Sequence, residues 1–394
     1  MMIRIYERDA YVFEFEGTVT SVDDDWVSLN ATAFYPGGGG QVSDRGTICG
    51  LDVTDVKAVD DVIMHCVPGH GMKVGDDVWC SVDWDKRYDL MMGHTAEHLL
   101  FGALKKEVPD IGIVKISISP ENKYVIVDRD VGWAEIKRAQ ESVNRAINDN
   151  LCVVKSTMGR DDPDMDGIRA RMERIDDDLV TVVEIGDADV AACSGIHVRE
   201  TGEIGALIVD RKVSAGKDGY AIHFRIGIDA VSRSMDLANT CLQMIEIFGT
   251  KPEDAVKAAY NIKQDNDAKT VQLRCALSHA IDELVPEVVN GIDVYGSIFS
   301  INDRAVLTDA AERIKNSGSV AVLVSGTDVL SVIVSSGVRE VDCSAVLKDA
   351  MTAAGGRGGG KKDFAQGGVP DASKADAVFN GIMSSVRASL KHQN

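Results

Sequence analysis

The chain has 394 residues, 45% of them hydrophobic, with 42 Lys and Arg against 62 Asp and Glu and a formal net charge of −20. That length calls for about two or three domains, and the apolar content suffices for their cores. The acidic balance argues against a general nucleic-acid binder, so any RNA contact must rest on local basic patches.

No apolar run reaches membrane-spanning length, and the start Met1-Met2-Ile3-Arg4-Ile5-Tyr6 lacks a signal-peptide pattern. A soluble, cytoplasmic protein with no membrane partner is expected. Eight cysteines are scattered without a dense framework and read as thiols. Cys193 has a histidine, His197, four residues on.

Residues 1–83 read as all-β. Tyr11-Val12-Phe13-Glu14-Phe15-Glu16 alternates apolar with acidic residues, as a half-buried strand does, and Thr18–Val22 is rich in β-branched residues. Short strands at Trp26–Leu29 and Val78–Val82, split by Asp and Gly turns, suggest a small β-barrel. Within it stands Thr32-Ala33-Phe34-Tyr35-Pro36-Gly37-Gly38-Gly39-Gly40-Gln41. Four consecutive glycines form a poor strand, but they allow positive φ and close backbone approach to a ligand. By itself the segment is as well read as a flexible turn; Thr32 and Gln41 on its flanks favour a binding loop.

Asp83 is a plausible N-cap for a helix running to Pro109. It carries His94-Thr95-Ala96-Glu97-His98, whose histidines lie one turn apart on one face and can close on one metal ion. Alone, the pair is better read as two unrelated histidines on a helix face. Thr95 occupies the place of the metalloprotease glutamate, so a peptidase is set aside. Strands follow near 114–119 and 124–127, then an amphipathic helix over 134–150 with Ile136, Ala139, Val143, Ala146 and Ile147 on one stripe. Asp162-Pro163 opens a short basic helix holding Arg169, Arg171 and Arg174. A strand at Leu179–Ile185 leads to Cys193-Ser194-Gly195-Ile196-His197, a thiol and an imidazole again at i,i+4. Two His plus Cys and His is a zinc inventory. Strands near 206–213 and 220–226 complete an α+β core over 84–228.

A long helical stretch, 229–290, reads either as an arm that pairs two chains into a homodimer or as a helical hairpin packed on its own domain. Residues 291–394 form a separate α/β module, with strands at 294–300, 320–325 and 330–335 and helices at 304–316, 344–354 and 375–390. Its Gly355–Gly368 segment holds Arg357, Lys361 and Lys362 and reads as an ordered, cationic loop suited to phosphate. From Gly355 onward six cations face three acids, a balance of +3.

Together these pieces resemble the alanyl-tRNA editing family in its long form with a C-terminal DHH-associated domain. The resemblance rests on Thr32–Pro36 with the glycines and Gln41, on His94–His98, on Cys193–Val198 running into Thr201–Gly205, and on Gly355–Gly368. Gly93 stands where the related synthetase often has Asn, and Ser194 and Ile196 replace the commoner Gly and Thr. The resemblance implies an aminoacyl-tRNA deacylase that clears mischarged tRNA(Ala), chiefly Ser-tRNA(Ala) and also Gly-tRNA(Ala). Zinc would sit on His94, His98, Cys193 and His197. Thr32 would discriminate the serine hydroxyl. Gln41 and the Gly37, Gly38, Gly39 and Gly40 backbone would hold the terminal adenosine or ester. Four protein ligands would close the coordination, so a catalytic zinc needs an exchangeable position. Two other readings stand beside this one: a deacylase for another tRNA, such as Ser-tRNA(Thr), and a non-enzymatic, zinc-stabilised tRNA-binding protein.

Overall fold

The two strands expected at 11–16 and 18–22 are one continuous strand, Glu14–Asp23. Gly17 lies within it on the inward face, where a Cβ would come 3.3 Å from the Ala31 carbonyl. The computed structural model describes residues 2–170 and 178–391, and the chain divides into two compact units, Met1–Gln243 and Met244–Asn394. The four segments anticipated are distributed over these two units.

The first unit begins with a seven-stranded sheet in the order Leu51–Val53, Gly46–Ile48, Asp77–Val82, Glu14–Asp23, Trp26–Leu29, Val62–Cys66, Asp55–Val59. Its two edge strands are consecutive in the chain, separated only by Thr54, so the sheet curls almost into a barrel. Phe15, Val27, Leu29, Phe34, Ile48 and Ile63 fill its interior.

The histidine helix spans Trp84–Glu107, and the Asp83 carboxylate accepts from the Lys86 N–H at 3.2 Å, which satisfies one of the unpaired first-turn donors. A four-stranded antiparallel sheet follows, ordered Ile113–Ile118, Lys123–Val127, Tyr220–Ile226, Leu207–Ser214. The Trp133–Asn148 helix buries the stripe read from the sequence, Ile136, Ala139, Val143, Ala146 and Ile147. These side chains join Leu90, Leu99, Leu100 and Leu104 of the histidine helix in one core, which holds that helix rigid from both sides.

A three-stranded sheet, Val153–Gly159, Leu179–Ile185 and Asp189–Ala192, carries the cysteine motif at its end. Only its middle strand was anticipated. Of the expected basic helix, Pro163–Gly167 forms a short 3-10 turn, and Arg169 pairs by an isolated bridge with Ala191. Arg171 and Arg174 lie outside the described residues.

A helix Gly227–Phe248 leads from the first unit into the second and stops at Gly249, whose φ is +61°. Pro252–Asp254 makes a 3-10 turn and Ala255–Asp282 continues as helix. Ile228, Met235, Ile247, Val256, Tyr260 and Val271 on these helices are exposed.

The second unit is built on a six-stranded sheet ordered Glu287–Val289, Ile292–Phe299, Val320–Ser325, Leu330–Ser336, Phe364–Val369, Arg357–Gly360. Its two central strands show the period-two rule on a sheet covered on both faces. Ala321, Leu323 and Ile333 pack with the Arg304–Asn316 helix, while Val320, Val322, Val324, Val332 and Val334 join residues of the Cys343–Ala354 and Ala375–Lys391 helices.

The glycine segment expected as a loop is instead an edge hairpin. Arg357–Gly360 pairs antiparallel with Phe364–Val369, and only Lys361–Asp363 form the turn. Among the described residues no helix is long and apolar enough to cross a membrane.

Candidate metal centre

His94 and His98 point from one face of the histidine helix, with ring centroids 5.3 Å apart. The Cys193–His197 segment meets them as an irregular loop after the strand Asp189–Ala192, not as a helix. The i,i+4 spacing of the second pair therefore reflects a loop folded back on itself. Gly195 permits this: a Cβ there would lie 2.2 Å from His94 Cε1. Cys193 Sγ is 3.5 Å from His94 Nε2 and 3.4 Å from His197 Nε2. The His197 ring stands 4.4 Å from that of His94 and 4.8 Å from that of His98. All four donor atoms lie within 4.8 Å of one another.

The outer nitrogens of the three imidazoles fix their orientation. His94 Nδ1 is 2.8 Å from Gln41 Oε1, His98 Nδ1 is 3.0 Å from Asp189 Oδ2, and His197 Nδ1 is 3.1 Å from Thr95 Oγ1. The Thr95 hydroxyl gives its proton to the Met91 carbonyl at 3.0 Å, so towards His197 it accepts. Each Nδ1–H thus donates outward and leaves Nε2 for the centre, the arrangement by which metal-binding histidines are held.

Burial would raise the Cys193 thiol, but His94 and His197 outweigh it and hold the group well below its ordinary value. Burial lowers His197 to about 3, with the facing His94 adding to the effect. Burial also opposes charge on His98, yet hydrogen bonds to Asp189 and Cys193 raise it to about 10. The cluster therefore stores a thiolate and a proton that a divalent cation displaces. Three imidazoles and one thiolate suit zinc by softness and number.

Two elements bring the glycine loop to this cluster. Arg87, fully buried on the histidine helix, donates from Nε to both oxygens of buried Asp44 at 3.0 and 3.1 Å, and from its two terminal nitrogens to the carbonyls of Ala10 and Ala33. Asp44 also accepts from the Tyr35 N–H at 2.5 Å. The loop is then stitched to the neighbouring sheet by Ile118 N–H to Gly40 O at 2.8 Å and Val42 N–H to Ile118 O at 3.1 Å. Gly40 has φ +99°, and a Cβ there would collide with the Ile116 carbonyl at 2.5 Å. Gly38 and Gly40 are exposed, with Gly39 between them, and Gly37 is half-buried.

The sequence-derived assignments fare differently. His94, His98, Cys193 and His197 come together. Gln41 reaches the cluster, but as the brace of His94, while its Nε2 is buried with no hydrogen-bond partner. Thr32 does not take the position expected of it. It is fully buried in the barrel, 2.8 Å from His65 Nε2, and accepts from the Phe34 N–H at 3.1 Å. His65 gives its Nδ1–H to the Val27 carbonyl at 3.1 Å, so the Thr32 hydroxyl donates to Nε2 and has no proton left for a ligand. Arg357, Lys361 and Lys362 lie in the second unit, exposed on the edge hairpin.

Asp189, Thr95, Asp44, Arg87 and Glu97 were not picked out from the sequence. Asp189 lies four residues before Cys193 and Thr95 directly after His94. Proximity to a candidate ligand was the one available signal.

Three known families match parts of the chain: "tRNA synthetases class II (A)" over residues 8–86, "Threonyl and Alanyl tRNA synthetase second additional domain" over 180–218, and "DHHA1 domain" over 293–387. The alanyl-tRNA editing protein AlaX-L of Pyrococcus horikoshii is 27% identical over 99% of this chain and 100% of its own length. The alanine–tRNA ligase of Pyrococcus abyssi is 28% identical over 96% of this chain. The chain spans 43% of that ligase's length. Among solved structures, the C-Ala domain of Aquifex aeolicus alanyl-tRNA synthetase matches at 20% identity and a TM-score of 0.24, over 27% of this chain and 98% of its own.

Proposed function

Because the chain belongs to the alanyl-tRNA editing protein family in its long form, we propose that it is a trans-editing deacylase, hydrolysing the aminoacyl ester of mischarged tRNA(Ala), chiefly Ser-tRNA(Ala) and also Gly-tRNA(Ala), in the cytoplasm. The observation that carries this reading is the convergence of three oriented histidines and one cysteine beside a glycine loop. His94, His98, Cys193 and His197 would hold zinc, which when bound supplies a Lewis acid for water or for the ester carbonyl.

The protein's own residues do the rest. Gln41 keeps His94 turned and offers its free amide N–H to an acceptor on the substrate. An aminoacyl ester is already activated, so most of the task is positioning. The exposed backbone around Gly38–Gly40 allows the close approach that a terminal adenosine needs. Arg357, Lys361 and Lys362 supply phosphate contacts from the second unit. Thr32 takes no part in this reading, since its hydroxyl is committed to His65.

A closed, purely structural zinc site would leave Gln41 Nε2 without a purpose. A buried unpaired donor is costly unless a ligand answers it.

The test presents purified protein with Ser-, Gly- and Ala-tRNA(Ala) and with Ser-tRNA(Thr). Serine release from tRNA(Ala) should exceed alanine release, cease on chelation and return with zinc. No release from any substrate, or full activity in metal-free protein, overturns the proposal.

A further inference from the structure

Glu97 stands directly before His98 and three residues after His94 on the histidine helix. It is 0% exposed, and neither carboxylate oxygen has a hydrogen-bond partner. A buried carboxylate without a partner is among the more expensive arrangements a protein can keep.

The polar groups around it are already committed. Arg169 gives its guanidinium to Asp189 at 2.6 Å, and His98 gives its Nδ1–H to the same carboxylate. Thr95 is occupied by Met91, His197 and Val198. Glu97 stands between His94 and His98 on the same helix, and its charge acts on both His98 and Arg169. Yet Glu97 is not one of the four convergent donors. What it lacks is a cationic donor from outside the chain.

The second orphan at the centre has the opposite polarity. Gln41 Nε2 is a buried donor without an acceptor, and its position is fixed because Oε1 is held by His94. Gln41 is bonded to His94 and Glu97 adjoins His98 in the chain, and the two imidazole rings are 5.3 Å apart. A ligand that answers both carries an ammonium group next to a carbonyl oxygen. An α-amino ester is such a group.

We propose that Glu97 receives the α-ammonium group of the aminoacyl ester, while the Gln41 amide donates to its carbonyl oxygen. This rests on the deacylase reading and deepens it. With the amine held by a carboxylate, the metal is not needed as its anchor. The site then favours free aminoacyl esters over acylated ones, because an N-acyl group removes the charge and leaves Glu97 unanswered.

The experiment measures binding by calorimetry, using full-length protein and a non-hydrolysable 3′-amide analogue, seryl-3′-amino-3′-deoxyadenosine, with its N-acetyl form as comparison. Wild-type protein should bind the free amine about ten- to a hundred-fold more tightly, the range of a charge-assisted hydrogen bond. Glu97→Gln should abolish that preference, Glu97→Asp should restore part of it, and metal content by atomic spectroscopy should stay unchanged in both. A wild-type protein that does not prefer the amine overturns the proposal, and that arm needs no variant to fold. So does a Glu97→Gln protein that keeps the preference. Amine-dependent binding without deacylation of any charged tRNA would remove the deacylase reading and leave the Glu97 assignment standing. Deacylation with the amine preference intact in Glu97→Gln would do the reverse.

Discussion

Thr32 shows where reading single residues stops. Its hydroxyl next to a glycine loop suggested a ligand contact, but hydrogen-bond partners come from the folded neighbourhood. His65, whose role no motif announces, claims the proton. Burial pushes His65 down to about 4, so it is neutral at ordinary pH and needs a donor at Nε2. Thr32→Val keeps the shape and strands both His65 Nε2 and the Phe34 N–H. The expected cost is about 1–3 kcal/mol of stability, the usual penalty for stranded buried polar groups. Chemical denaturation measures it. The ratio of serine to alanine release should not move; a changed ratio would return Thr32 to the pocket. The metal donors were more legible, because the His94–His98 pair and the Cys193–His197 pair together make up a full zinc inventory. Glu97 was not, since a glutamate on a helix is ordinarily solvated and its burial shows only in three dimensions.

Among elements, the long helices were legible to within a few residues, because a 3.6-residue apolar period and an Asp cap are local signals. Strands of mixed polarity were not. Val153–Gly159 exposes Val154 and buries little, so its pairing with Leu179–Ile185 is a tertiary fact. The glycine-rich 355–368 segment reads as a loop because glycine disfavours strands, yet an edge hairpin tolerates it. The same limit hid the strut between the histidine helix and the glycine loop. Arg87 and Asp44 are 43 residues apart and both fully buried, so neither reads as more than a surface charge. Arg87→Met should destabilise the protein by about 3–5 kcal/mol, since it leaves Asp44 buried without its counter-charge. It should also loosen Gln41 against His94, and so lower metal affinity. Urea unfolding with parallel metal titration tests both. Unchanged metal affinity at lowered stability would make the strut a stabilising feature alone.

At the scale of the whole molecule, the −20 charge opposes RNA while the last forty residues run at +3. The four candidate metal donors lie within Met1–Gln243, and Arg357, Lys361 and Lys362 within Met244–Asn394, so the proposed chemistry and the proposed phosphate contact belong to separate compact units. The helices between carry exposed Met235, Ile247, Val256 and Tyr260, apolar surface that pairing of two chains would cover. A chain ending at Gln243 keeps the β-barrel, the histidine helix and the cysteine loop. It should therefore bind metal as the full chain does and still release serine from charged tRNA. It should lose tRNA affinity and the steep fall of binding with salt, because each phosphate contact removed flattens that slope. If, as we propose, the exposed helices pair two chains, the shortened chain should sediment as a monomer and the full chain as a dimer. Metal titration, tRNA binding across a salt series and sedimentation on both forms separate these expectations. If the shortened chain binds tRNA as tightly and with the same salt slope, the phosphate contacts lie in the first unit and the edge hairpin serves the fold alone. If it stays dimeric, the pairing surface lies before Met244.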